Sequence, residues 1–348
     1  MMLHTSHGNV IIEEQRFLLN KRTFRPLSSR CSLRSKQYTL RLQRFLTDFG
    51  ADVPFHQISQ KMLEHHGFSV NTEATRIITN KHAAIVQRES LKSRADAQDH
   101  EYLIAEADGV MVPTVAFKEN PESTDKRKDR TCEWKEMRVA ITYPKGSRSM
   151  LYSATMTSPN DLGDQLLECV KQLGFNEKTK VHFVGDGALW IAEQSDRIFG
   201  AQSTFLIDFY HLSSYLSAAG QCIAPEASQA WFENSKKLAK ESKIEEVLQD
   251  LNAHISSNEH AQCAALTAYN YIMRRPKQFD YKNAKDENLP IGSGKSESTN
   301  KSLVQTRLKR AGAWWLPENA LAIINLRILR IRGLWSDYWQ QRQAEYRF

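Results

Sequence analysis

The sequence predicts an α/β protein: a mixed five-stranded sheet interrupted by an all-α insertion and preceded by a helical, helix-turn-helix-like N-terminal region. Three observations predict it. Between Tyr102 and Tyr143 the chain is dominated by strand-like runs, the first of them Tyr102-Leu103-Ile104-Ala105-Glu106-Ala107. From Asp161 to Tyr210 helical and strand-like patterns alternate. From His211 to about Phe279 the apolar stripes are helical and no strand is convincing.

Length and composition set the bounds. The 348 residues are enough for two or three domains. Hydrophobic residues make up 41% and charged residues 25%, the balance of a globular protein. There is no apolar run of about 18 residues and no secretory h-region at the N-terminus, so neither a membrane span nor export is expected. Cys31, Cys132, Cys169, Cys222 and Cys263 lie too far apart for a zinc knuckle or a disulfide framework, which fits a cytoplasmic, nucleoid-associated protein. The net charge is +7. Arg16, Lys21, Arg22, Arg25, Arg30, Arg34, Lys36, Arg41 and Arg44 follow one another with no acidic residue between, and a second basic cluster runs from Lys301 to Arg332. Two such clusters point to a polyanion, and nucleic acid is the expected partner.

In order along the chain, residues 1–36 form a basic arm, either short strands or extended. Residues 37–100 hold helices and a linker: Tyr38 to Phe49, then Phe55 to His65, a His66-Gly67 turn, and a helix capped by Asn71 that runs to about Gln87. The last two suit a major groove, or are an ordinary αα-hairpin. Residues 101–211 are the first part of the core. A first strand ends at Asp108, an Asp-Gly turn leads into a second over Gly109 to Phe117, and a third spans Glu133 to Tyr143. A helix over Asp161 to Leu173 precedes a strand from Val181 to Asp186, and a helix over Trp190 to Phe199 precedes a strand from Thr204 to Tyr210. Residues 212–290 are the all-α insertion, and 291–348 return to the core with helices over Ser296 to Arg310 and Ala320 to Ile331. The order βββαβαβ is that of a ribonuclease-H-like core.

Three acidic residues occupy special frames in that order. Asp108 ends the first strand, Asp186 stands between Gly185 and Gly187 after the fourth, and Glu297 lies in Gly292-Ser293-Gly294-Lys295-Ser296-Glu297-Ser298. First and fourth strands are neighbours in a ribonuclease-H-like sheet, which would set Asp108 beside Asp186. Carboxylates so placed suit two Mg²⁺ (or Mn²⁺) ions about 4 Å apart, the arrangement that phosphoryl transfer on DNA needs. Each acidic residue taken singly is more often a turn or surface-helix residue, and it is their combination in this order that points to a metal site.

The blocks Gly185-Asp186-Gly187-Ala188-Leu189-Trp190-Ile191, Leu206-Ile207-Asp208-Phe209-Tyr210-His211 and Ile291 to Ser298 resemble the signature blocks of bacterial insertion-sequence DDE transposases of the ISKra type. Arg307 to Trp315, followed by Ala320 to Arg330 and Trp335 to Trp339, is similar to the C-terminal end of the same family. The resemblance spans roughly residues 100 to 340. It implies a ribonuclease-H-like catalytic domain whose triad is Asp108, Asp186 and Glu297, with a divalent metal as cofactor, and a transposase that cuts DNA at element ends and joins them to target DNA. It also implies a homodimer or larger assembly on DNA. Asp208-Phe209-Tyr210-His211 is similar to the Asp-x-x-His element of related transposases. His211 would touch a catalytic carboxylate or the DNA backbone, or else be a core histidine behind a capping Asp208; Asp208 is the alternative metal ligand. Larger family members carry a cysteine-rich segment near the N-terminus, where this chain has only Cys31, so end recognition falls to the arm and the helix pair.

The candidate DNA contacts are Arg22, Arg25, Arg30 and Arg34 in the arm, Arg76 in the helix pair, and Lys295, Arg307, Lys309 and Arg310 near Glu297. Trp314 is placed to stack on an unpaired base, or with Trp315 to pack the last helix. Two rival functions share these residues: a nuclease or resolvase without strand transfer, and a non-catalytic DNA-binding regulator derived from a transposase.

Overall fold

The structure is a computed structural model that describes residues 1–19, 22–30, 36–89, 98–117, 129–257 and 262–345. The chain forms two compact units. One holds residues 1–93, 112–135 and 302–348, the other residues 94–111 and 136–301.

The first unit opens with short strands. β1 (Met2–Thr5) lies between β2 (Gly8–Ile11) and β5 (Gln37–Tyr38), while β3 (Phe17–Leu19) and β4 (Arg22–Phe24) form an antiparallel pair followed by α1 (Pro26–Arg30). The described part of the arm is therefore strands and one helical turn. α2 (Leu40–Asp52), α3 (Phe55–His66) and α4 (Thr72–Glu89) follow. Their apolar stripes meet in a cluster of Leu42, Leu46, Ile58, Met62 and Ile78. Gly67 ends α3 at φ 75°, a left-handed conformation that a Cβ would oppose. Asn71 Oδ1 accepts the backbone N–H of Ala74 at 3.0 Å, which starts α4 where the sequence indicates.

The main sheet is built from β6 (Tyr102–Phe117), β7 (Arg130–Pro144), β8 (Leu151–Thr155), β9 (Lys180–Gly185) and β10 (Ser203–Ile207), in the order β10-β9-β6-β7-β8. β9 runs parallel to β6 and to β10, and β7 antiparallel to β8. The sheet has five strands, but two differ from expectation. No hairpin turn occurs at Asp108-Gly109: β6 runs through it for 16 residues. Burial resumes past the dipeptide, from Val110 to Val115 with only Met111 exposed, and a long strand with sheet neighbours outcompetes a local turn. Asp108 is thus inside the first strand, not at its end. The strand that the sequence reading missed is β8, whose Leu-Tyr-Ser-Ala-Thr is too short and polar to stand out; pairing with β7 defines it.

α5 (Pro159–Gln172) starts with a capping box between Ser158 and Asp161, and α6 (Leu189–Phe199) links β9 to β10. Leu162, Leu166, Val170 and Ile191 from these helices pack with Leu103, Ala105, Phe183 and Val181. Tyr102, Ile104, Ile141 and Tyr143 belong to a different core, shared with α7 (Phe209–Ile223) and the helices after it. Those are α8 (Ser228–Lys240), α9 (Ile244–Ser257), α10 (Gln262–Met273) and α11 (Tyr281–Asp286), so the described residues of the insertion are helices and their connections, with no strand among them. α12 (Gly294–Thr299) continues as a π-helical segment, Asn300–Gln305, and then α13 (Thr306–Leu308). α14 (Pro317–Ile331) and α15 (Trp335–Glu345) close the chain and pack in the first unit, where α14 lies on α4 and α2. Arg327 and Arg330 of α14 pair there with Asp52, and Arg342 of α15 with Glu89. Among the described residues no helix is long and apolar enough to cross a membrane.

Candidate active site

Asp108 and Asp186 come together because their strands are neighbours. The register pairs Glu106 of β6 with Val184 of β9. Carried two residues further, it sets Asp108 abreast of Asp186. Strand alternation puts Asp108 on the same face of β6 as Glu106 and Ile104. Burial pushes the Asp108 carboxyl up, and the negative charge of Asp186 pushes it further, while a hydrogen bond from Asn300 and the nearness of His211 oppose the rise. Asp108 Oδ1 accepts its neighbour Gly109 N at 2.7 Å, and Oδ2 accepts Asn300 Nδ2 at 2.7 Å.

The Asp186 loop is held from outside the sheet. Ala188 N donates to Asp186 Oδ1 at 2.9 Å, and Tyr271 Oη of α10 donates to the Asp186 carbonyl at 2.6 Å. Gly187 adopts φ 87°, and a Cβ there would lie 2.9 Å from Tyr271 Oη, so both its backbone and its neighbour demand glycine. The insertion therefore positions a candidate catalytic carboxylate through Tyr271, a role that the sequence did not signal.

Two buried carboxylates fasten the Gly292–Ser298 block to the sheet. Asp208 Oδ2 accepts both N and Oγ of Ser293, at 2.6 and 2.5 Å. Its Oδ1 accepts Tyr210 N at 2.6 Å and His211 N at 3.2 Å, which caps α7. Four donors make Asp208 a capping and clamping residue. Glu106 is 1% exposed; Tyr143 Oη donates to its Oε1 at 2.7 Å and Ser296 N to its Oε2 at 2.8 Å. Burial pushes the Glu106 carboxyl up against those hydrogen bonds. Sequence reasoning passed over Glu106. Its signal was a carboxylate in an apolar strand, two residues before Asp108 and so on the same face.

Glu297 occupies the exposed side of α12, and its Oε1 pairs with Lys301 Nζ at 2.6 Å. Among the described residues no three His, Cys, Asp or Glu side chains are gathered closely enough to enclose a metal ion. Asp108 and Asp186 are hard oxygen donors whose mutual repulsion a divalent cation would relieve, so this pair fits such a cation in chemistry. Glu297 does not complete a three-carboxylate cluster with them. Its exposed pair with Lys301 is worth only about 0.3–0.5 kcal/mol. His211, on the first turn of α7, is exposed and close enough to Asp108 to influence its charge.

The expected DNA contacts separate by exposure. Arg25, Arg30, Arg76, Lys309 and Arg310 are exposed. Arg76 pairs with Glu73, and Arg310 Nε donates to Thr306 O at 2.8 Å. Arg34 and the Arg22 side chain lie outside the described residues. Lys295 rests on the Tyr143 ring, 3.4 Å from its centroid, which ties it to the Glu106 network. Arg307 corrects the expectation: it is 2% exposed, donates from Nε and a terminal nitrogen to the Gly50 carbonyl, and lies over the rings of Phe55 and Trp315. A guanidinium so enclosed supports the helices around it and reaches no phosphate. Trp315 is buried and its Nε1 donates to Leu308 O, as the packing alternative requires. Trp314 is 37% exposed, edge-on to the exposed Trp134, over whose ring Lys309 also lies.

Fold and site together define a mixed α/β protein with a half-buried carboxylate pair, one in β6 and one just after its parallel neighbour β9. The chain belongs to the uncharacterised protein family UPF0236, whose profile matches residues 69–343. No curated protein matches it. Among solved structures it is similar to a chain of the Drosophila P element transposase strand transfer complex, at 11% identity and a TM-score of 0.33, with 89% of this chain and 82% of that chain covered. A likeness that loose carries no argument about this chain.

Proposed function

We propose that the chain is a DDE transposase with a ribonuclease-H-like core, which cuts DNA at insertion-sequence ends and joins them to target DNA. The observation that carries the reading is the pairing of β6 with β9, which brings Asp108 of β6 near Asp186, the residue after β9, so that the Asp186 charge raises the Asp108 carboxyl. The strand order supports it, since counted along the chain it is 3-2-1-4-5, the order of ribonuclease-H-like sheets. So do the sequence blocks around Asp186, Asp208 and Glu297.

In this mechanism Asp108 and Asp186 hold divalent cations, Mg²⁺ or Mn²⁺. Such ions supply activation of an oxygen nucleophile and neutralisation of charge on the phosphate. The chain's own residues do the positioning. Tyr271 and Gly187 fix the Asp186 loop, and Glu106 and Asp208 anchor the block that carries Glu297. Glu297 joins the site only by releasing Lys301, a cheap exchange for an exposed pair. His211, exposed on the first turn of α7, would meet a scissile phosphate. Arg25, Arg30, Arg76, Lys309 and Arg310 supply exposed positive charge for the DNA backbone. Two ends must be processed together, so the active form on DNA is a homodimer or larger.

Incubating the protein with labelled element-end DNA, a target plasmid and Mg²⁺ tests this reading. Transposition chemistry gives end cleavage and covalently joined products; cleavage without joining favours a nuclease, and binding without either favours a regulator.

A further inference from the structure

We propose that Asn300 is a member of the cation site: its side-chain Oδ1 is the third oxygen donor beside the carboxylates of Asp108 and Asp186. The inference rests on the reading of those two carboxylates as cation ligands, and it names a ligand that the acidic residues alone do not reveal.

Three observations carry it. Asn300 is 2% exposed and donates from Nδ2 to Asp108 Oδ2 at 2.7 Å. That bond fixes the amide, because a flip would bring its oxygen against a carboxylate oxygen. The other end of the same amide, Oδ1, is buried and accepts no hydrogen bond. A buried acceptor without a donor demands an explanation, and a role as a cation ligand is one. Lastly, Asn300 is the residue at which the α-helical winding of α12 gives way to the π-helical segment Asn300–Gln305. Single π turns inside helices recur at functional sites, where the changed winding re-aims a side chain.

The chemistry suits a hard divalent cation. Mg²⁺, Mn²⁺ and Ca²⁺ accept side-chain amide oxygens beside carboxylates. With Asn300 in place the inner donors are two carboxylates and one neutral oxygen. Glu297, three residues earlier and paired with Lys301 in solvent, is left free to engage when DNA arrives.

Mn²⁺ binding to the full chain without DNA, read from the electron paramagnetic resonance signal of free Mn²⁺, tests the inference. Wild type binds; Asp186→Asn abolishes that binding and so assigns it to this site. Asn300→Ala weakens it by about tenfold or more. Asn300→Asp, which keeps an oxygen and loses the amide donor, binds at least as well as wild type. If Asn300→Ala binds like wild type, or Asn300→Asp is as weak as Asn300→Ala, Asn300 at most holds Asp108 and the inference fails while the carboxylate site stands. If wild type shows no binding sensitive to Asp186→Asn, both fail. Should a variant not fold, the wild-type chain labelled with ¹⁵N-asparagine decides. Asn300 is the one buried asparagine among the described residues, so its side-chain amide is the slowly exchanging one. Mg²⁺ must shift that resonance; an unmoved resonance overturns the inference.

Discussion

Asp208 spends both carboxylate oxygens inside the protein, on the start of α7 and on Ser293. Removing them leaves buried donors unpaired, so Asp208→Ala is expected to lower unfolding stability by about 2–4 kcal/mol in urea denaturation. Asp208→Asn, which keeps one acceptor, should cost less. Asp108 and Asp186 behave in the opposite way. The Asp108 carboxyl is raised above its ordinary 3.8 by burial and by Asp186. Its contribution to stability is nil below that value, turns unfavourable as the pH climbs to the raised folded value, and is fully present above it. Asp186→Asn removes part of that cost. At pH 7 without divalent cation it should melt a few degrees above wild type, an advantage that vanishes near pH 4. The same titration makes protons compete with the cation, so Mn²⁺ binding should strengthen as the pH rises through that range. Asp186 was legible in the sequence because two glycines frame it after an apolar strand. Glu106 and Asn300 were not, since only burial gives a lone polar residue in an apolar context its meaning.

At the scale of elements, β6 shows where local reading stops. Asp-Gly is a turn signal, yet Asp108-Gly109 lies within a strand of 16 residues that β9 and β7 flank in the sheet. Helices were easier: α2, α3, α5, α6 and α14 lie close to their expected spans, since amphipathic stripes and caps are local signals. The π-helical segment has no such signal. Arg307 and Lys309, two residues apart after it, divide the roles expected of both. Arg307 is enclosed by Phe55 and Trp315, and burial holds its pKa down to about 10. Arg307→Ala should therefore cost roughly 3 kcal/mol of stability, through lost packing and two lost hydrogen bonds. Lys309→Ala should change stability by no more than about 0.5 kcal/mol. In DNA-binding titrations at varied salt it should instead reduce the slope of log affinity against log salt by about one.

The whole molecule joins a unit that carries the exposed basic side chains of residues 1–93 and 302–348 to a unit that carries the carboxylates. Under the proposed function the exposed basic side chains would contact phosphates and release counterions, so DNA affinity should fall steeply between 50 and 200 mM salt, by about 10³-fold or more if six or more phosphates are contacted. Binding alone does not separate an enzyme from a regulator, because both keep the basic surface. Cleavage does. The decisive measurement is nicking of DNA that carries the ends of the encoding element, with Mg²⁺ or Mn²⁺, wild type beside Asp186→Asn. Metal-dependent nicking at the ends that falls by about 10³-fold or more in the variant is the expected result, since several kcal/mol of charge stabilisation depend on that carboxylate. Nicking that persists in Asp186→Asn, or tight end binding with no nicking by either protein, would contradict a catalytic role for the Asp108–Asp186 pair.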